Sequence, residues 1–220
     1  MDSLSKVASD VQNHGQWLGH VGSVEKALSM AAGMGRVTHD PRHPDNVRRI
    51  SPQSLELANP NTLSSRYGLG AFPYHTDVAH WRRPATLVFL YCENPGRASR
   101  PSLVMDSRTW DVSEHERQVL VQGVWRVAFL RPFLATIAAA NLNGLLLRFD
   151  PGCMRPYGRR ALAAQEVVTA RLASCPAAQV FWRPGDLLIL DNSRMLHTRG
   201  EARIADTDRV LCRILVGGHP

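Results

Sequence analysis

Long apolar runs are missing from this sequence, since none reaches the roughly 18 residues that a membrane-spanning helix needs. The opening stretch MDSLSKVASDVQNHG also lacks the apolar core that follows a basic segment in a secretory signal. We therefore expect neither a membrane span nor a signal peptide.

Cysteine is scarce and widely spaced. None of the cysteines shows the paired spacing of thiolate zinc sites or small disulfide frameworks; they are Cys92, Cys153, Cys175 and Cys212. We expect reduced thiols and, with them, a cytoplasmic location.

Lysine is nearly absent. Only Lys6 and Lys26 of the 26 basic residues are lysine, so the other 24 are arginine, and the formal net charge is +7. The arginines are scattered along the chain, which favours ion pairing or compositional bias over a phosphate-binding face. We therefore expect no nucleic-acid partner. The sequence indicates no oligomeric state.

The composition is that of one globular domain. With 220 residues, of which 44% are apolar and 20% charged, the chain is long enough for a full hydrophobic core. Residues 7–18 and 23–32 have helical patterns, and Ser23 is the predicted N-cap of the second helix. We interpret residues 1–60 as an N-terminal elaboration of helices and loops, packed on a core formed by residues 63–216.

Short apolar runs dominate from Tyr74 onward, and turn-forming residues separate several of them. The runs are ATLVFLYC, PSLVMD, VWRVAF, GLLLRF, AQVFW, DLLIL and RVLCRILV. Two helices are predicted among them, at residues 113–122 and 159–174, and the first opens with a capping box formed by Ser113 and Glu116. The pattern predicts a mainly β fold with flanking helices, most simply a jelly roll.

Three residues are of the types that bind iron in non-haem oxygenases, namely two histidines and one aspartate. His75 and Asp77 stand two apart in FPYHTDVAHW, and on a strand this spacing directs both side chains to one face. His197 follows the apolar run DLLIL and is predicted to lie at the end of that strand. Two imidazoles and one carboxylate form the facial triad of non-haem Fe(II) oxygenases. The alternative for His75 is a hydrogen-bonded histidine at a strand end.

The last apolar run carries two arginines on one face. In DRVLCRILVG, Arg209 and Arg213 alternate with Leu211 and Leu215, so both guanidinium groups are predicted to point inward. A buried charge requires a partner, and an anionic ligand is one solution. The two positions are about 13 Å apart along a strand, which favours separate roles. The alternative is pairing with carboxylates of the preceding loop: Glu201, Asp206 and Asp208.

These motifs resemble those of the taurine dioxygenase and clavaminate synthase superfamily of Fe(II)/2-oxoglutarate oxygenases. The resemblance runs from about Leu63 to Val216, and LSSRYGLGAFPYHTDVAHWRRPATLVFLYCENPG is most similar to the clavaminate-synthase-like branch. It implies a double-stranded β-helix with a cupin-like core, and iron bound by His75, Asp77 and His197. It also implies that Arg209 holds the distal carboxylate of 2-oxoglutarate with the Ser102 hydroxyl, although the family usually has threonine there.

The resemblance further implies a reaction in which 2-oxoglutarate and O₂ yield succinate and a hydroxylated small molecule, such as an amino acid or a natural-product intermediate. Halogenating relatives lack the carboxylate ligand, so Asp77 argues against halogenation. Four candidate substrate-binding residues are Arg213, His80, Trp81 and Arg199; Arg213 is alternatively a second ligand of the cosubstrate. Other functions remain open, namely an oxygenase acting on a nucleobase or a protein side chain, and a non-catalytic jelly roll that binds metal or a small acid.

One further cluster of metal-ligating residue types is interpreted differently. His39, His43 and Asp45 lie in the proline-rich segment HDPRHPDN, where no predicted strand or helix would hold them. We expect a solvated loop there.

Overall fold

The computed structural model describes residues 2–41, 43, 45–60, 62–128, 131–141, 144–201 and 206–219. The helices are α1 (Leu4–His14), α2 (Val24–Met34), α3 (Ser64–Tyr67), α4 (Glu114–Gln122) and α5 (Arg159–Ser174). The strands are β1 (Gln16–His20), β2 (Val37–Thr38), β3 (Arg48–Ile50), β4 (Leu87–Asn94), β5 (Ser102–Asp106), β6 (Val124–Val127), β7 (Phe133–Thr136), β8 (Ala138–Asn141), β9 (Gly144–Leu147), β10 (Met154–Pro156), β11 (Ala178–Val180), β12 (Asp186–Asp191), β13 (Met195–Arg199) and β14 (Val210–Val216).

Two antiparallel sheets form the centre of the fold. The larger has the order β1-β12-β4-β14-β2, and β3 also pairs with β14. The smaller has the order β11-β5-β13, and a bridge between His75 and His197 extends it beyond β13. The remaining strands form the small sheets β10-β6-β7 and β8-β9. This arrangement confirms the prediction of a mainly β jelly roll with flanking helices.

The alternation of side chains along the strands creates separate apolar layers. On β4, Val88 and Leu90 join Val104 of β5 in the cluster between the two sheets. Phe89 and Tyr91 face the other way and pack with residues of α1 and α2. Because alternate residues of a strand point to opposite faces, one strand contributes to both layers.

A further apolar cluster covers the other face of the smaller sheet. Met105 of β5 and Leu196 of β13 belong to it, together with residues of α4, α5 and strands β6 to β10. Residues 107–177, which are inserted between β5 and β11, therefore pack on the face of the smaller sheet that carries Met105 and Leu196. His197 is the next residue on β13 and points to the opposite face.

The helix predictions agree well for α4 and α5, and less well near the N-terminus. Ser113 and Glu116 form both bonds of the predicted capping box, at 3.2 and 2.7 Å, and Ser23 caps α2. The helix predicted over residues 7–18 is wrong at its C-terminal end, because it stops at Gly15, which has a φ of 78°. Residues Gln16–His20 instead pair with β12 as a strand.

The strand predictions also need correction in two places. The N-terminal region contributes β1, β2 and β3 to the larger sheet, although its pattern indicated helices and loops. The prediction that His197 ends the strand beginning at Asp186 is wrong. The side chain of Asp191 accepts from the Ser193 amide at 3.0 Å, the chain turns, and His197 lies within the next strand, β13. In the predicted strand VWRVAF, Phe129 lies outside the described residues.

No helix in the described ranges has the length and apolar character that a bilayer crossing requires. The division into an elaboration and a core within one domain stays a prediction.

The capping box of α4 gives a test of local stability. Ser113→Ala leaves the Glu116 amide without its side-chain acceptor, and we expect the free energy of unfolding to fall by about 1 kcal/mol in urea denaturation. Gln122→Ala, an exposed change at the other end of the same helix, is the control and should have almost no effect. Equal losses in both variants would show that the cap does not stabilise α4.

Candidate metal centre

His75, Asp77 and His197 converge in the structure. Each offers one ligand atom, and these atoms all lie within 4.8 Å of one another. His75 and His197 are joined by two backbone hydrogen bonds, at 3.1 and 3.0 Å, which place their rings 4.6 Å apart. The expectation that His75 and Asp77 share a strand is wrong: His75 forms an isolated bridge and Asp77 begins a turn.

Both backbone polar groups of Asp77, its amide and its carbonyl, are hydrogen-bonded to one buried side chain. The buried Asn192 side chain accepts from the Asp77 amide at 2.7 Å and donates to the Asp77 carbonyl at 3.0 Å and to that of Ala85 at 2.9 Å. The next residue, Val78, has a φ of 48°, a costly conformation for a β-branched side chain. The turn after Asp77 therefore depends on its surroundings rather than on local preference.

Each imidazole offers one ring nitrogen to a metal. Nδ1 of His75 lies 3.0 Å from the Pro73 carbonyl, which can only accept, so this nitrogen is the donor and Nε2 is the nitrogen left for a metal. Burial, followed by the neighbouring His75, lowers the pKa of His197 to about 4, so its ring is neutral at physiological pH. Metal binding requires neutral imidazole.

Asp77 is an ionised carboxylate in a buried position. Burial alone would raise its pKa, but Arg213, followed by His197 and His75, outweighs burial and holds the pKa below its usual range. Nη1 of Arg213 donates to Oδ1 of Asp77 at 2.6 Å, whereas Oδ2 lies 3.9 Å from Nε2 of His197. One oxygen of the carboxylate therefore faces the two histidines.

The donor set fits a divalent transition metal. Two neutral imidazoles and one carboxylate on one side of an ion leave the remaining coordination positions open. Asp77 supplies the negative charge, and the hydrogen bond from His75 to a backbone carbonyl is the outer contact that usually orients a histidine ligand.

The three residues lie in the wall of a cavity of about 790 Å³. His43 and Asp45 also line it; both lie outside helices and strands, as the loop interpretation expected, and Asp45 is exposed. β3 follows these residues and pairs with β14, which carries Arg213, and this pairing places His43 and Asp45 beside the cavity.

Arg209 and Ser102 meet at the same cavity. Nη2 of Arg209 donates to the Ser102 hydroxyl at 3.0 Å, and the indole of Trp182 donates to that oxygen at 3.1 Å. Nε and Nη1 of Arg209 are buried and have no hydrogen-bond partner among the described residues. Burial lowers the pKa of Arg209 to about 10, so the group remains a cation at neutral pH.

Two of the three carboxylates named for the preceding loop, Asp206 and Asp208, pair with other arginines. Asp206 forms a fully buried pair with Arg100 at 3.2 Å, and Asp208 pairs with Arg97 at 3.1 Å. Asp206 still contributes to the electrostatic surroundings of Arg209. Arg213 pairs with Asp77, a partner that its position on the strand did not indicate.

The four residues predicted to bind substrate have different surroundings. Arg213, His80 and Arg199 line the cavity, but Trp81 is fully buried in the cluster between the sheets. This corrects the prediction for Trp81, whose amide closes the turn by donating to the Val78 carbonyl at 2.9 Å. The turn directs the indole into the core.

Arg199 and Arg100 hold residues 68–72, the segment that precedes His75, through hydrogen bonds and a ring contact. Arg199 lies 3.7 Å above the Phe72 ring and donates to the carbonyls of Gly68 and Gly70. Arg100 donates to the Leu69 carbonyl at 2.7 Å. Sequence reasoning missed Arg100 and Asn192 as supports of the site. Asn192 belongs to the DN-x-R stretch of the family resemblance, whereas Arg100 has no comparable signal.

No protein-family model matches this chain. A search of curated proteins also finds no match.

Solved structures nevertheless share its fold. An asparagine oxygenase in complex with Fe(II), 2S,3S-3-hydroxyasparagine and succinate is 20% identical, with a TM-score of 0.78 over 97% of this chain and 78% of that chain. The non-haem iron oxygenase OrfP in complex with Fe and alpha-ketoglutaric acid is 19% identical, with a TM-score of 0.76 over 98% and 78%. PvcB from Pseudomonas aeruginosa is 18% identical, with a TM-score of 0.71 over 98% and 80%.

The neutral state of His197 makes stability depend on pH. Its pKa falls from 6.5 to about 4 on folding, so between these values the unfolded chain binds more protons at this residue than the folded chain does. We expect the free energy of unfolding to decrease as the pH falls through this range. The dependence should be weaker in His197→Gln and unchanged in the exposed control His115→Gln. Urea denaturation at several pH values measures it, and identical slopes in all three proteins would contradict a neutral buried imidazole.

Proposed function

We propose that this chain is a mononuclear non-haem Fe(II) oxygenase that uses 2-oxoglutarate and O₂ to hydroxylate a small organic substrate. One observation carries the proposal. Two histidines and an ionised aspartate meet in the wall of a cavity whose lining includes a buried arginine with donors that have no partner among the described residues.

The iron ligands in this proposal are His75, His197 and Asp77. His75 would bind through Nε2, because Nδ1 donates to the Pro73 carbonyl, and Asp77 would bind through Oδ2, because Oδ1 accepts from Arg213. The bound iron supplies O₂ activation, coupled to oxidative decarboxylation of 2-oxoglutarate to succinate. The chain contributes the negative charge, the ligand orientation and a site enclosed by the two sheets.

Arg209 and Ser102 are the proposed binding site for the distal carboxylate of 2-oxoglutarate. A carboxylate accepts two parallel hydrogen bonds from a guanidinium, and Nε and Nη1 of Arg209 remain available. The Ser102 hydroxyl can rotate its proton toward the ligand while it accepts from Arg209 and Trp182.

The charge at this end of the cavity supports an anionic ligand. Burial is the main cause that lowers the pKa of Arg199 to about 10, and the nearby charges of Arg100 and Arg209 add to it. The Asp206 carboxylate acts in the opposite direction and raises the pKa of both Arg199 and Arg209. An anion here would offset the excess positive charge of the arginines.

The proposed substrate is an amino acid or a natural-product intermediate. A cavity of about 790 Å³ is in the size range of small-molecule sites. The asparagine oxygenase structure contains a hydroxylated asparagine, and an OrfP structure contains (3S)-hydroxy-L-Arg. His80, Arg199 and Arg213 are the proposed substrate contacts. A cytoplasmic location is part of the proposal and is supported by the four free cysteines.

Removing Arg209 tests the cosubstrate site. Arg209→Ala leaves the distal carboxylate without an ionic partner, which typically costs about 2–5 kcal/mol. We expect the apparent affinity for 2-oxoglutarate to fall by roughly 30- to 4000-fold, measured from succinate release at varied 2-oxoglutarate. Arg97→Ala, which removes an exposed arginine paired with Asp208, is the control and should leave that affinity unchanged. An unaltered dependence in Arg209→Ala would refute the assigned role.

Removing Asp77 tests the metal site. Asp77→Ala leaves two imidazoles, which hold Fe(II) loosely, so we expect succinate release and substrate hydroxylation to be abolished. The control is Asp111→Ala, a change at an exposed carboxylate. Near wild-type turnover in Asp77→Ala would exclude Asp77 as a ligand. Metal binding by the wild-type protein without any succinate release would favour a non-catalytic binding protein.

A further inference from the structure

The ion pair between Arg213 and Asp77 is buried and short. Nη1 of Arg213 lies 2.6 Å from Oδ1 of Asp77, and the two side chains are only 12% and 8% exposed. A hydrogen bond between charged groups at this distance orients both partners strongly. The contact therefore affects the orientation of the Asp77 carboxylate toward a metal.

The two oxygens of Asp77 have different surroundings. Oδ1 accepts from Arg213, while Oδ2 is the oxygen nearest to Nε2 of His197, at 3.9 Å. The backbone of Asp77 is held independently by Asn192, through hydrogen bonds to both its amide and its carbonyl. With the backbone and one oxygen held, the remaining oxygen has a defined direction.

Arg213 itself is held by a strand with a neighbour on each side. It lies opposite Leu90 of β4 on one side and opposite Arg48 of β3 on the other. Its Nε is buried and has no acceptor within the part of the chain that the structure describes, whereas its Nη1 donates to Asp77. The backbone that carries this guanidinium is thus fixed by strand pairing on both sides and does not belong to a loop.

We propose that Arg213 is a positioning residue for the metal, acting through Asp77, and that this inference rests on the proposed metal site. By holding Oδ1, Arg213 makes Asp77 a one-oxygen ligand and directs Oδ2 toward the histidines. This role is additional to the substrate contact expected from its place on the strand. It operates before substrate or 2-oxoglutarate binds.

The alternative role gives a different result in a simple experiment. If Arg213 only binds substrate, its replacement leaves metal affinity in the absence of substrate unchanged. If it acts only as a nearby positive charge, its removal strengthens metal binding, because two cations repel. A positioning role predicts the opposite sign, since losing an outer contact to a ligand typically weakens metal binding by about 10- to 100-fold.

The test is a calorimetric titration of the full chain with Co(II), in the absence of 2-oxoglutarate and substrate. It measures the affinity for Co(II). We expect Arg213→Gln to bind Co(II) about 10- to 100-fold more weakly than the wild type. Arg213→Lys keeps the charge and one donor, so its affinity should lie between the two. The control is Arg97→Gln, the same substitution at an exposed arginine that pairs with Asp208 and does not line the cavity, and its Co(II) affinity should equal that of the wild type.

The Co(II) absorption spectrum adds a readout of geometry. Release of Oδ1 changes the coordination of the ion, so the spectrum of Arg213→Gln at saturation should differ from that of the wild type, whereas the spectrum of Arg97→Gln should not. Circular dichroism and thermal unfolding check the fold of each variant. If Arg213→Gln does not fold, the affinity and spectrum of Arg213→Lys decide.

Two outcomes would overturn the inference. Equal or tighter Co(II) binding in a folded Arg213→Gln, with an unchanged spectrum, would show that Arg213 does not position Asp77, while the proposed metal site would stand. A wild-type protein that binds no Co(II) would remove both the metal site and the inference.

Discussion

The buried charge of Asp77 is the interaction on which the site depends. A carboxylate removed from water is expensive unless charged or hydrogen-bonding groups compensate it. Here Arg213 compensates one oxygen, and the carboxylate lies beside the two histidines. Burial opposes ionisation, but Arg213, His197 and His75 together hold the pKa of Asp77 below its usual range, so Asp77 stays ionised and retains the charge that a divalent metal requires.

The jelly roll provides rigid supports for this arrangement. His197 lies within β13, between β5 and the His75 bridge, and the insertion with α4 and α5 packs behind it. Arg213 comes from the opposite, larger sheet. The proposed metal site is therefore assembled between two sheets whose separation is set by the apolar cluster that they share. A site placed on strands is held more firmly than one placed on loops.

The arginines near the cavity have distinct tasks. Arg100 and Arg199 donate to backbone carbonyls of the segment before His75, Arg100 also pairs with Asp206, and Arg199 is in addition a proposed substrate contact. Arg209 retains two unpaired donors, whereas Arg213 contacts the proposed metal ligand. Residues of the same type thus divide into supports of the backbone, a binding group for an anion, and a partner of Asp77, according to what lies within reach of each guanidinium.

The sequence by itself determined the alternating faces of the strands and the helices α4 and α5, with the capping box of α4. These features follow from local periodicity, which is present in short stretches of chain. The ligand set of His75, Asp77 and His197 was predicted from ligand chemistry and the family resemblance, but the backbone that brings the three together differs from the strand positions predicted for them. The sequence did not determine that β1, β2 and β3 join the larger sheet, because their pairing depends on edges offered by distant strands. Only the tertiary structure decided that Trp81 points into the core, that His43 and Asp45 line the cavity, and that Arg213 meets Asp77. Those outcomes depend on contacts between residues far apart in the chain, such as the 136 positions that separate Arg213 from Asp77.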